Sequence, residues 1–409
     1  MHHAETIDIM QEPRHLERAR TVGHQALFVG VAALGAGVAV ALFGGKLDGF
    51  LKSYLVSYTY FLSLALGALF FVMIQHVTRA GWSVTVRRIA ECITAALPIW
   101  LLLAIPLIAM AAKIYPWMTQ TLLSPDMAAL VEKKRQYLNF GFWAGRIVLY
   151  FLIWSWLAHF FYRKSIEQDS TGDPKLSHWM HQRAAIGLVL FAFSLAFAAY
   201  DLIKSLNPGW FSTMFGVYYF AGSVQGFFGL LIIVVAWVQS SGRLPRAITT
   251  EHYHDMGKFM FAFTVFWAYI AFSQYMLIWY ANIPEETRWY LSRQTGAWAW
   301  FSVFLLFGKF ILPFLFLISR WPKRMRELLI VGALWILLMQ WCDQYYLIMP
   351  AENPESAGAG QLPLHLNDLL CFIGLGGIFI WAVTQRMASC SLVPERDPRL
   401  HEALAFENY

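Results

Sequence analysis

Ten separate stretches, each with about 20 or more predominantly apolar residues, recur near 22–44, 54–79, 89–113, 140–162, 182–204, 213–239, 256–280, 296–319, 326–349 and 364–385. An α-helix needs about 20 such residues to cross the hydrocarbon core of a bilayer, and in lipid only helices or closed barrels satisfy every backbone N–H and C=O. The pattern predicts an all-α polytopic membrane protein with ten transmembrane helices. Composition agrees, because 58% of the 409 residues are apolar and only 14% are charged, against about 25% charged in an ordinary soluble domain. A water-soluble globular fold is excluded. The 33 Phe, 18 Trp and 18 Tyr suit aromatic belts at both membrane interfaces. The formal charge of +6 then describes an oriented membrane protein, with no call for a nucleic-acid partner.

An even number of spans places both termini on one side. On that map 20 Lys and Arg fall in the tails and the loops of the same side and 9 in the other loops, with Arg146 and Lys309 inside helices. The positive-inside rule therefore puts both termini in the cytoplasm. The expected organisation is a cytoplasmic tail over 1–21, a ten-helix domain over 22–386 and a second cytoplasmic tail over 387–409. The first residues, MHHAETIDIMQEPRHLERAR, are too polar for a cleaved signal peptide. In the outer loop 114–139, Ser124 reads as an N-cap, Pro125 as the first helical residue and Asp126 as a first-turn acid, so a surface helix is expected near 124–135. The outer loop 351–362, AENPESAGAGQL, reads as flexible.

Small residues let helix backbones approach closely in lipid. They predict packing faces at Ala32, Gly35, Ala36 and Ala39 in helix 1, at Gly222 and Gly226 in helix 6, and at Gly374, Gly376 and Gly377 in helix 10. Helices 2–5 and 6–9 each end on the outer side with an aromatic-flanked acid, AAYDLIK around Asp201 and QWCDQYY around Asp343. Two four-helix bundles related by pseudo-symmetry, with helices 1 and 10 peripheral, account for this repetition.

Ionisable groups inside a membrane are costly and become functional candidates by default. On the inner half these are His76, Glu91, His159 and Lys258; on the outer half they include Arg146, Asp201 with Lys204, Asp343, and His365 with Asp368. Asp201 and Lys204 are spaced for a local ion pair, Lys258 for snorkelling, and Asp368 for the positive end of a helix dipole. Lys309 lies too deep to reach water and needs a partner; Asp343 is the candidate, and because it sits nearer the outside, Gln340 or a water chain is expected to bridge the two. The six candidates for a proton path are His76, Glu91, His159, Asp201, Lys309 and Asp343. A haem between His76 and His159 is the less favoured use of those histidines. Cys92, Cys342, Cys371 and Cys390 include no CxxC or CxxCH, so no c-type haem, iron–sulfur cluster or structural zinc has its ligands here. The chain is expected to bind no metal, to carry no catalytic residue and to hold no redox cofactor of its own.

Two stretches carry a resemblance. HVTRAGWSVTVRRIAE (76–91) and HDMGKFMFAFTVFWAYIAFSQYMLIWYANIPEETRWYLSR (254–293), together with the span layout, resemble the NrfD-like or polysulfide-reductase-type membrane subunits. Within them the chain resembles the ActF-type second subunit of bacterial alternative complex III. The resemblance implies a multi-pass subunit of the bacterial inner membrane within a respiratory quinol:cytochrome c or quinol:oxidase assembly. Its implied partners are an NrfD-like sister subunit, periplasmic iron–sulfur and c-type haem subunits, and a terminal oxidase. Menaquinone or another quinone is implied for the complex, and structural lipids for the chain. His76, Arg79, Ser83, Arg87, Arg88 and Glu91 carry over as a cytoplasmic-side polar cluster. Gln274, Tyr275, Trp279, Tyr280, Glu285, Glu286 and Arg288 carry over as an outer-side cluster for quinone binding or partner contact. A secondary transporter and a purely structural anchor remain as alternatives.

Overall fold

The computed structural model describes residues 12–119, 125–350 and 360–408. Ser124 and most of the 351–362 loop lie outside them, as do residues 1–11. Among the described residues there are helices and turns and no strand. The ten apolar stretches become α1 (Arg18–Phe43), α2 (Leu47–Val77), α3 (Val84–Ala109), α4 (Phe140–Thr171), α5 (Pro174–Leu206), α6 (Phe215–Ser240), α7 (Thr250–Ala281), α8 (Ala297–Ile318), α9 (Arg326–Ile348) and α10 (Leu366–Met387), each long and apolar enough to span a bilayer. The protein is a multi-pass integral membrane protein. The face where α1 begins and α10 ends is called the termini face below, and the opposite one the far face.

Helices α4 and α5 run further past the bilayer than their apolar runs. Hydropathy measures only the lipid-facing length, whereas the helical hydrogen bonds continue into water until a cap stops them. Here Gly172, with φ +67°, ends α4, and the Asp173 side chain accepts from Lys175 N–H at the start of α5 with Pro174 in the first turn. At the far face Asn139 opens α4 by accepting from Phe142 N–H at 2.9 Å. Asn282, with φ +49°, closes α7 ahead of Pro284. Two short helices rest on the far face, Pro125–Lys133 and Pro284–Leu291.

Helix α2 is the central pillar: 94% of its most apolar window is inside the protein, against 17% for α1. Its sequence is apolar or small all round, as expected for a helix enclosed on every side. It packs against α3, α5, α6, α9 and α10. Around it α2–α5 form one four-helix bundle and α6–α9 the other, joined along α2 and α6, while α1 lies outside against α10. The packing face of α1 differs from the expected one. Gly23, Gly30 and Gly37 are the glycines it buries, and a Cβ on Gly377 of α10 would sit 2.3 Å from the Ala26 carbonyl oxygen. Gly35 faces open space, and Ala32 and Ala36 are exposed to the bilayer. Both stripes are small and evenly spaced, so only the partner's own glycines select between them.

Candidate functional site

Each bundle encloses one buried acid tied to a cation and a tyrosine. In the first, Arg146 of α4 grips Asp201 of α5 with two hydrogen bonds, Nε to Oδ2 at 2.8 Å and Nη2 to Oδ1 at 2.7 Å. Tyr150, one turn along α4, donates its hydroxyl to Asp201 Oδ2 at 2.8 Å. The guanidinium also donates to the Tyr137 carbonyl at 3.0 Å and lies 3.8 Å over the Tyr137 ring. Parallel N–H···O bonds and flat stacking are what arginine offers and lysine does not. Lys204 is not the partner of Asp201: α5 tightens into a 3₁₀ turn over Lys204–Leu206, which breaks the helical spacing that would have paired them.

In the second bundle Lys309 of α8 reaches Asp343 Oδ2 of α9 at 2.5 Å and Gln340 Oε1 at 2.6 Å. Tyr218 of α6 donates to Asp343 Oδ1 at 2.5 Å. Gln340 passes the chain on, donating through Nε2 to Ser63 Oγ of α2 at 3.2 Å. The lysine side chain spans the expected depth difference itself, so the contact with Asp343 is direct and Gln340 binds the same ammonium instead of bridging the pair. The ammonium is also 4.7 Å from the Trp267 ring centre, a cation–π distance.

Lys309 sits in a π-helical segment, Leu306–Ile311. Such a segment widens the helix by one residue and leaves carbonyls off their usual partners. Two side chains take them up: Trp335 Nε1 donates to the Gly308 carbonyl at 2.7 Å, and Gln225 Nε2 to the Lys309 carbonyl at 3.4 Å. Gly222 of α6 supplies room, since a Cβ there would lie 3.0 Å from Gln340 Oε1 and 3.3 Å from Lys309 Nζ. The Gly222 and Gly226 spacing thus serves a polar site as well as helix packing.

On the termini face the 76–91 stretch folds into a buried cluster. Arg88 is fully enclosed and donates to Ser165 Oγ at 3.0 Å, to Asp169 Oδ2 at 2.8 Å and to the Ser391 carbonyl at 3.2 Å. Glu91 lies 3.1 Å from Arg88 Nε and 3.6 Å from Arg87 Nε. Arg87 pairs with Asp397 at 2.5 Å. The C-terminal segment is therefore a strap across the bundle end: Glu395 N–H donates to Asp169, Glu395 pairs with Arg14, and Asn408 contacts Glu251. Burial opposes ionisation of Asp397, but the Arg87 guanidinium and the Arg399 N–H hold its carboxyl below the usual carboxylate range. Cys92 and Cys390 are free thiols with sulfurs 3.8 Å apart under this strap.

The remaining candidates divide. His76 is buried and stacked on Phe161 at 5.4 Å, and Ser83 is buried while Arg79 is exposed in a left-handed turn. His159 is on the exposed face of α4, so it does not line a path with His76, Glu91 and Asp201. Its neighbours Trp154, Leu157, Ala158 and Phe161 occupy the inward stripe, and the sequence had no means of showing which stripe that was. Asp368 accepts from Ser53 Oγ at 2.5 Å and from the His365 N–H at 2.9 Å, the third-residue role in a capping box whose N-cap is His365, which fits the dipole reading.

In the far-face group, buried Gln274 bonds Ser212 and Tyr290, and Tyr275 accepts from Gln294 at 3.3 Å. Trp279 and Tyr280 point outward, and Glu285 and Arg288 are exposed on the Pro284–Leu291 helix, with Glu286 half-buried. That helix is fixed by Trp289, stacked on Trp210 at 4.4 Å, and by Arg293, whose guanidinium lies 3.5 Å over Trp289 and donates to the Tyr346 and Leu347 carbonyls. Burial lowers Arg293 to about 10. Neither Arg293 nor the two acid-binding tyrosines stood out in the sequence, because each looks like ordinary interface aromatics and basic residues until the acceptors are placed.

No protein-family model matches the chain, and no curated protein matches it. What its own residues establish is a ten-span membrane protein with one buried acid–cation–tyrosine station in each of two bundles.

Proposed function

We propose that the chain is a membrane subunit of a respiratory quinol:electron-acceptor oxidoreductase, with its termini in the cytoplasm, and that it moves protons without holding a redox centre. The observation that carries the reading is the Lys309–Asp343 station: a buried lysine and carboxylate joined to Gln340, Ser63 and Tyr218 at the core of the second bundle. A buried ion pair gives little net stability over a well-packed apolar core. Lysine, carboxylate, tyrosine and serine can each give or take a proton, and the chain of contacts is within hydrogen-bond reach throughout. The resemblance of 76–91 and 254–293 to NrfD-like subunits supports the respiratory assignment.

Arg146–Asp201 takes the companion role of a fixed charge, since a guanidinium does not release its proton at cellular pH. The partner subunits would supply electrons and colour. The test is the complete complex reconstituted in vesicles with Lys309→Met. The proposal expects quinol oxidation to persist with a reduced proton-to-electron ratio. An unchanged ratio in an assembled complex overturns the proton role. Substrate uptake by the chain alone in proteoliposomes would instead make it a carrier.

A further inference from the structure

A cavity of about 300 Å³ opens between α3 and α10 near the termini face, lined by Ala95, Ile99, Trp381, Gln385, Arg386 and Ser389 among others. On one side of it α3 tightens to a 3₁₀ turn over Thr94–Ala96. The lining is divided by depth. Ala95, Ile99 and Trp381 make an apolar slot facing the hydrocarbon, whereas Gln385, Arg386 and Ser389 stand at the last turn and end of α10, the depth of lipid headgroups.

Arg386 is held without being satisfied. Its guanidinium lies 4.4 Å over the Tyr162 ring, a contact that fixes the plane and uses none of its five N–H donors. Among the described residues no carboxylate pairs with it. Gln385 donates to the Arg20 carbonyl at 3.4 Å, which draws the basic first turn of α1, with Arg18 and Arg20, to the same rim. A half-buried cation without a counter-ion, above an apolar slot and at headgroup depth, is complementary to a phosphate attached to acyl chains.

We propose that this cavity is a binding site for one phospholipid, its phosphate on Arg386 with Gln385 and Ser389 beside it, and an acyl chain along Ala95, Ile99 and Trp381. The lipid would wedge α10 against α3 and so brace the α1–α10 pair on the first bundle. The site is independent of the proton reading.

The full chain, purified and stripped of lipid in detergent, is offered dioleoyl phosphatidylglycerol, dioleoylglycerol or inorganic phosphate, and retained lipid is counted by native mass spectrometry. One equivalent of phosphatidylglycerol is expected to stay bound. Dioleoylglycerol, with the chains and no phosphate, should be retained poorly, and inorganic phosphate at equal concentration should not displace the lipid. Arg386→Gln should weaken retention of that equivalent about tenfold, the loss of one charge-assisted contact. Ala95→Phe, which fills the slot and leaves the cation, should weaken it as well, and Arg320→Gln, an exposed arginine elsewhere on the termini face, should not. Wild-type retention by both cavity variants, equal retention of dioleoylglycerol, or displacement by inorganic phosphate overturns the proposal. A melting temperature in the lipid-stripped state that matches stripped wild type in either cavity variant shows that the loss is of the lipid and not of the fold.

Discussion

The two bundles answer the same problem, a carboxylate deep in a membrane protein, with different cations. In α2–α5 the answer is rigid: Arg146 is held by two bonds to Asp201, a third to a carbonyl and an aromatic plate beneath it. In α6–α9 it is adjustable: Lys309 carries one point charge on a flexible stem, shared between Asp343 and Gln340, from a helix turn that is itself widened. The comparison teaches that repetition of architecture does not require repetition of role. A forked, permanently charged group suits holding a bundle together, whereas a compact ammonium that can lose its proton when desolvated suits exchange.

The largest effect should come from removing one charge of either station. Lys309→Met or Arg146→Met leaves an uncompensated buried carboxylate, a loss of about 3–5 kcal/mol, visible as a lower melting temperature in detergent. The double variant Lys309→Met with Asp343→Leu should recover most of that stability while proton movement stays impaired. Recovery of both would make the second station purely structural.

Exchanging the cations sharpens the contrast further. Arg146→Lys forfeits the fork and should lose about 1–3 kcal/mol with little change in proton-to-electron ratio. Lys309→Arg keeps the charge but not the exchangeable proton, so the ratio should fall in a complex that still assembles. Equal responses at the two sites would erase the distinction between them.

A smaller effect is expected around the widened turn, which has no counterpart at Arg146. Trp335→Phe removes the donor to the Gly308 carbonyl and should lose about 1 kcal/mol, with faster hydrogen exchange over residues 306–311. Gly222→Ala should press on Gln340 and Lys309 by similar measure.

The smallest effect concerns pH. The strap is anchored to the first bundle by Asp397 on Arg87 and by the Glu395 N–H on Asp169, and to the N-terminal segment by the Glu395 carboxylate on Arg14. Both strap carboxyls are held below their ordinary values of 3.8 and 4.5, burial opposing and the arginine partners prevailing. Their contribution is therefore complete above those values and is lost as pH falls through the depressed ones. Limited proteolysis after residue 391 should accelerate below about pH 4, with α6–α9 unaffected. Acceleration already near neutrality would show that other groups hold the strap.

The sequence by itself determined the ten spans, their antiparallel run and the presence of costly buried charges, because bilayer thickness and the price of desolvation act on residue types wherever they point. It also brought Lys309 and Asp343 forward as partners, since a deep cation must have one. Direction around each helix was decided only by the tertiary structure. His159 looked equivalent to His76 and turned out to face the bilayer, Lys204 lost Asp201 to Arg146, and α1 packs through Gly30 and Gly37 rather than Gly35. In lipid an apolar face gains little by turning inward, so the hydrophobic periodicity that orients helices in water is nearly silent here. Orientation is left to small-residue fit and to hydrogen bonds between helices distant in sequence.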